Sequence, residues 1–138
     1  MFKKLSILIL LLFVSNQVSA QNPNSESEAF FVNVFISANK TIYVETEKTA
    51  FENIENKVSK IIRNKPFKLD QKIVYRIFAD ENLDMGFIID VNQEMLSAYN
   101  ENVIRERYLL NTYKLNIDGQ NWFESIDMKK LKSPESTN

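Results

Sequence analysis

The chain has 138 residues, 17 basic and 18 acidic side chains, a formal charge of −1, and neither cysteine nor histidine. That length suits one domain, and the charge balance leaves no basic reservoir for a nucleic-acid backbone, so no nucleic-acid partner is expected. Without histidine and cysteine, Ser-His-Asp and Cys-His catalysis, Cys/His zinc sites and disulfide exchange are excluded, which leaves an enzyme only carboxylate pairs, Ser-Lys dyads or all-oxygen metal sites.

Met1 to Ala20, MFKKLSILILLLFVSNQVSA, opens with two lysines, runs through an apolar stretch from Leu5 to Val14 and ends in Val18-Ser19-Ala20. This is the anatomy of a cleaved signal peptide, and the apolar run is shorter than the roughly 20 residues of a spanning helix. If it were retained, the same segment would be an N-terminal anchor. Residues 21–29 are polar and read as a flexible lead-in, residues 132–138 as a disordered tail, and the folded domain is expected over residues 30–131.

Phe30 to Ser37 alternates Val32, Val34 and Ile36 against Phe31, Asn33 and Phe35, the two-residue period of a strand. Thr41 to Glu45 reads as its hairpin partner across an Asn39-Lys40 turn, with Asn39 suited to the left-handed backbone. Thr49 and Glu52 have capping-box spacing and predict a helix start, after which Phe51, Ile54, Val58, Ile61 and Ile62 share one face. Lys72 to Ala79 is a third strand. Met85, Ile88, Ile89, Met95, Leu96 and Tyr99 repeat at helical spacing, with Asp84 or Asn82 available as N-cap, and Val103 to Leu110 is a fourth strand. The order β-β-α-β-α-β predicts an α+β fold, a two-layer domain with both helices on one face of a single sheet. Asp118-Gly119 predicts an extra C-terminal hairpin running into QNWFESI.

Asp80 and Glu81 fall where the third strand gives way to the second helix. Asp80 has three readings: a carboxylate that satisfies N–H groups at the junction, a surface contact, or a catalytic or metal role. The acids there lack the spacing of a calcium loop, so neither a catalytic nor a metal residue is assigned and no cofactor is expected. Gly86, inside the helix, is expected to let that helix approach the sheet closely.

Three stretches carry a resemblance to a known family. ISANKTIYVE is similar to the opening hairpin of the ExbD/TolR family's periplasmic domain; VYRIFADENLDMGFIIDVNQEMLSAY to its strand ending in Ala-Asp, then a glycine opening an apolar helix; and NENVIRERYLL to its last strand. The likeness spans Val34 to Leu110. Asn39-Lys40 replaces an acid-Gly turn, Met85 an aromatic residue and Tyr99 a glycine. No acid lies between Leu5 and Val18, so the family's proton-coupling aspartate has no counterpart and only the periplasmic domain carries over.

The resemblance implies a non-catalytic module of biopolymer transport or envelope maintenance, acting through protein contacts with a second copy of itself or with an ExbB/TonB-like or other envelope protein. It implies a periplasmic location, or the inner membrane if the leader is kept; the membrane would then be reached only through that segment. A free secreted binding domain without motor coupling is the alternative, and a small carboxylate-dependent hydrolase a second. If the helices cover the Val32 face, the opposite face presents Phe31, Phe35, Tyr43 and Phe78 as a partner surface, unless the extension with Trp122 and Phe123 folds back over it.

Overall fold

The computed structural model describes residues 28–131 except Phe67 and Asp118; the leader, most of the lead-in and the tail lie outside the described residues. Strand β1 (Phe30–Ile36) pairs antiparallel with β2 (Ile42–Val44), with Val34 opposite Val44. In the turn between them Lys40, not Asn39, takes the left-handed backbone at φ 65°. The Asn39 side chain is engaged instead as an acceptor for the Thr41 hydroxyl at 2.8 Å.

A third strand, β3 (Glu47–Thr49), extends the hairpin antiparallel to β2. It takes up Thr49, whose hydroxyl donates to the Glu47 carbonyl at 3.0 Å, so the expected capping box does not form. A 3₁₀ turn (Phe51–Asn53) leads instead into helix α1 (Ile54–Asn64), which buries Ile54 and Val58 and packs Ile61 and Ile62 partly against the core.

Strand β4 (Ile73–Asp80) lies parallel to β1, and after helix α2 (Met85–Ala98) strand β5 (Val103–Leu110) lies parallel to β4. The mixed five-stranded sheet has the order β3-β2-β1-β4-β5. Both helices pack on one face, where Val32, Val34, Ile36 and Ile77 meet Ile54, Val58, Ile88, Val91 and Met95. The buried stripe of α2 is rotated from the expected one: Val91 is fully buried, whereas Met85 and Ile89 are 39% and 47% exposed. Asn92, polar and next to Val91, had obscured that stripe in the sequence.

The opposite face is closed from within. Beyond β5 the chain forms two 3₁₀ segments, Gly119–Ser125 and Met128–Lys130, rather than the expected hairpin. Asn116 and Gly119 both take the left-handed backbone, which turns the chain back over the sheet. At Gly119, with φ at 48°, an added Cβ would sit 3.0 Å from the Tyr43 hydroxyl, so glycine is the least strained residue there. Trp122 is thereby buried, stacked on Phe35 with ring centroids 5.3 Å apart and in contact with Phe78 at 5.1 Å. Its indole N–H donates to the Glu45 carbonyl at 2.7 Å, which makes an otherwise costly polar group compatible with burial. Tyr108, Leu110 and Ile126 complete this second core.

Trp122→Ala is expected to destabilise the fold by about 3–5 kcal/mol, the usual range for removing a buried tryptophan, seen as a lower urea midpoint. A midpoint within error of the parent would contradict the second core.

Candidate functional site

β4 delivers Asp80 to the point where three segments meet. One carboxylate oxygen accepts the Asn82 N–H at 2.9 Å; the other accepts the Thr112 N–H at 3.4 Å and the Thr112 hydroxyl. Burial pushes the carboxyl's pKa up, but the hydrogen bonds from Thr112 and Asn82 outweigh it and hold the group below the ordinary carboxylate range. Next to it the Glu81 N–H donates to the Leu110 carbonyl at 2.8 Å, and its carboxylate accepts from the Asn111 amide at 2.7 Å. The acid pair thus ties the end of β4 to the chain leaving β5.

The N-cap of α2 is Asp84, whose carboxylate accepts the Gly86 N–H at 3.2 Å. Gly86 is exposed, and a Cβ there would meet only the Asp84 carboxylate, at 3.2 Å. The expected close approach of helix to sheet at Gly86 is therefore corrected: the glycine makes room for its own cap. Among the described residues no three acids converge as a metal site. Burial also pushes the Tyr75 hydroxyl up, and burial together with Glu106 pushes Tyr108 up to about 12, so both phenols stay protonated at neutral pH.

Of the four aromatic residues expected to meet a partner, Phe35 and Phe78 are buried beneath Trp122, and Tyr43 is half-buried with its hydroxyl beside Gly119. Phe31 stays 41% exposed, with the Arg76 guanidinium 4.0 Å above its ring. Beside it runs a polar row absent from the sequence reading. The Glu45 carboxylate accepts from the Asn33 backbone N–H at 2.7 Å and side-chain amide at 3.2 Å, and the Asn33 side-chain oxygen accepts from Arg76 Nε at 2.8 Å. The available signal was a polar residue at the matching centre of each apolar strand, FFVNVFI and IVYRIFAD, which pair in register.

The two edges of the sheet differ. β3 is three residues long, carries Glu47 and Lys48, and is braced by an ion pair from Lys57 to Glu47, the features that protect an edge from added strands. β5 is eight residues long and has a sheet neighbour on one side only among the described residues. Large apolar side chains stand exposed along it: Ile89 lines a cleft of about 210 Å³ between α2 and β5 with Arg105 and Arg107, while Met85, Leu109 and Leu115 line a groove around the strand's C-terminal half.

No family model matches the chain, and no curated protein does. Among the described residues, no helix is long and apolar enough to cross a membrane.

Because the folded-state pKa of Asp80 is depressed, its carboxylate contributes stability above the unfolded-state pKa, and that stability is lost as pH falls through the folded-state value. Asp80→Asn is expected to lower stability by about 1–3 kcal/mol at neutral pH and to flatten this acid limb, read from denaturation midpoints across a pH series. Equal acid dependence in parent and variant would refute the assignment. Gly86→Ala should change stability by less than about 1 kcal/mol, the gain in helix propensity offsetting a small displacement of Asp84. A loss above about 2 kcal/mol in the same measurement would restore the packing role.

Proposed function

We propose that the chain is a non-catalytic, exported module of ExbD/TolR type that works by protein contact in energy-dependent biopolymer transport or envelope maintenance. The observation that carries this reading is the β5 edge. A long edge strand flanked by exposed Met85, Ile89, Leu109 and Leu115 suits main-chain pairing with an added strand, the apolar side chains giving the pairing its affinity and the charged run Arg105-Glu106-Arg107 its choice of partner. With β3 added after the hairpin, the observed order is β-β-β-α-β-α-β; its two helices on one face of the sheet agree with the fold that the family resemblance implies.

The added strand would come from a second copy of the chain or from an ExbB/TonB-like or other envelope protein. The other readings find less support. A free small-molecule binding domain is the alternative: the cleft of about 210 Å³ is small for a ligand, whereas the groove of about 660 Å³ around the end of β5 falls within the roughly 300–1,000 Å³ of small-ligand pockets but is lined by the same exposed apolar residues that suit strand pairing. Asp80 and Glu81, the acids on which a hydrolase would depend, are occupied in holding the chain together.

A photo-crosslinking residue in place of Arg105 in the native host is expected to capture a second copy or an envelope protein. Ile89→Asp with Leu109→Asp should abolish that capture while changing stability by no more than about 0.5 kcal/mol for each exposed position. Capture that survives both aspartates, or no capture by the parent, would overturn the edge as the contact site.

A further inference from the structure

The N-terminal ends of β1, β4 and β5 lie together at one end of the sheet, with Phe30 opposite Ile73 and Ile73 opposite Val103. The N-terminal segment reaches the domain here: the Glu28 carbonyl accepts from the Gln71 side chain at 2.8 Å, and the Phe30 N–H donates to the Lys72 carbonyl at 2.8 Å. From the last turn of α1 to the start of β4, residues 63–72 carry Arg63, Lys65, Lys68 and Lys72 against the single acid Asp70, a net charge of +3 in a chain whose total is −1. The other residues together therefore carry −4, and positive charge is concentrated at this end.

The loop also carries an apolar tip. Leu69 is 75% exposed, and the left-handed turn at Asp70 (φ 55°) carries the chain back toward β4. Beside it is an open recess of about 460 Å³ lined by Arg63, Lys65, Lys68, Tyr99 and Asn102. Lys65 is fixed over the Phe30 ring, with its ammonium 3.0 Å from the Gln71 side-chain oxygen. Arg63, Lys68 and Lys72 are exposed.

We infer that this end of the domain docks on an anionic lipid surface, with Leu69 entering the headgroup layer and Arg63, Lys65, Lys68 and Lys72 meeting the phosphates. Asp70 and Glu101 rim the same recess and would oppose an isolated anion at close range. A bilayer instead presents many phosphates at once and engages all four cations, each of which multiplies surface partition by about five when within a Debye length of about 8 Å. The chain outside the described residues leads to the same partner. Only 13 residues separate the apolar run ending at Val14 from Glu28, so a retained or inserting leader would hold this face within about 45 Å of the bilayer. The inference requires a membrane within reach and is independent of what pairs with β5.

With no native cysteine, Leu69→Cys in the full chain accepts a single environment-sensitive fluorophore, and Tyr113→Cys, 93% exposed beyond the far end of β5, serves as the control. On phosphatidylglycerol/phosphatidylethanolamine vesicles the label at position 69 should shift to the blue, while the label at 113 does not. Phosphatidylcholine vesicles should give little shift at either position, and high salt should reverse the shift at 69. Adding Lys68→Gln and Lys72→Gln should reduce the surface-bound population about 25-fold relative to the unbound. Equal shifts at 69 and 113, equal shifts on neutral and anionic vesicles, or a shift reproduced by inorganic phosphate alone would each overturn the proposal. The last outcome would assign the recess to a free anion instead.

Discussion

β4 lies between two parallel neighbours, β1 and β5, and is buried on both of its faces along nearly its whole length. Parallel strands of this kind need cover on each side. The two helices supply it on one side, through Ile54, Val58, Ile88, Val91 and Met95. Among the described residues no further α-helix lies on the other side, and Trp122 meets the need. Its ring lies on Phe35 and Phe78, and its one polar atom reaches the Glu45 carbonyl where the chain makes its left-handed turn out of β2. The hairpin, the central strands and the C-terminal segment are therefore joined through one side chain.

The Asp80-Glu81 pair sets where that covering segment starts. Thr112 is held by Asp80 and Asn111 by Glu81, so the chain leaving β5 is fixed before it turns back across the sheet. A low pKa for Asp80 follows from this structural task and does not require catalysis. With Trp122 over the second face and the β3 edge short and charged, the β5 edge and the basic end around Leu69 are the surfaces proposed for contacts. The exposed apolar residues Leu109 and Leu115 lie toward the C-terminal end of β5, whereas the basic loop adjoins its N-terminal end at Val103.

Much of this fold was legible because its period was strong. In Phe30 to Ser37 the β-branched residues Val32, Val34 and Ile36 alternate with the rest, and they do form one face of the core; Val103 to Leu110 is a strand with the predicted bounds. What escaped the sequence had weaker or competing signals. Glu47-Lys48-Thr49 is too short and polar to show a period, yet pairing with β2 makes it a strand and withdraws Thr49 from the helix cap. Asp118-Gly119 carries a hairpin signal, but burying Trp122 on the exposed side of the sheet outweighs that local preference.

The candidate site was legible in its parts more than in its connections. Asp80 could be placed at a strand-to-helix junction, but its partner Thr112 is 32 residues away, and no local pattern reports such a contact. Phe35 and Phe78 could be assigned to the face away from the helices; that they would be covered depended on how residues 111–131 pack. The Asn33–Arg76 contact likewise required the parallel register of β1 and β4.

The central claim is that this second face is covered cooperatively by the protein itself. Trp122 is the single tryptophan, so hydrogen exchange of its indole N–H, followed by NMR, gives one unambiguous signal. The account predicts that this proton exchanges as slowly as the central amides of β4, through global unfolding. Exchange at the rate of an exposed loop, with β4 still protected, would show that the cover opens independently and would contradict the account.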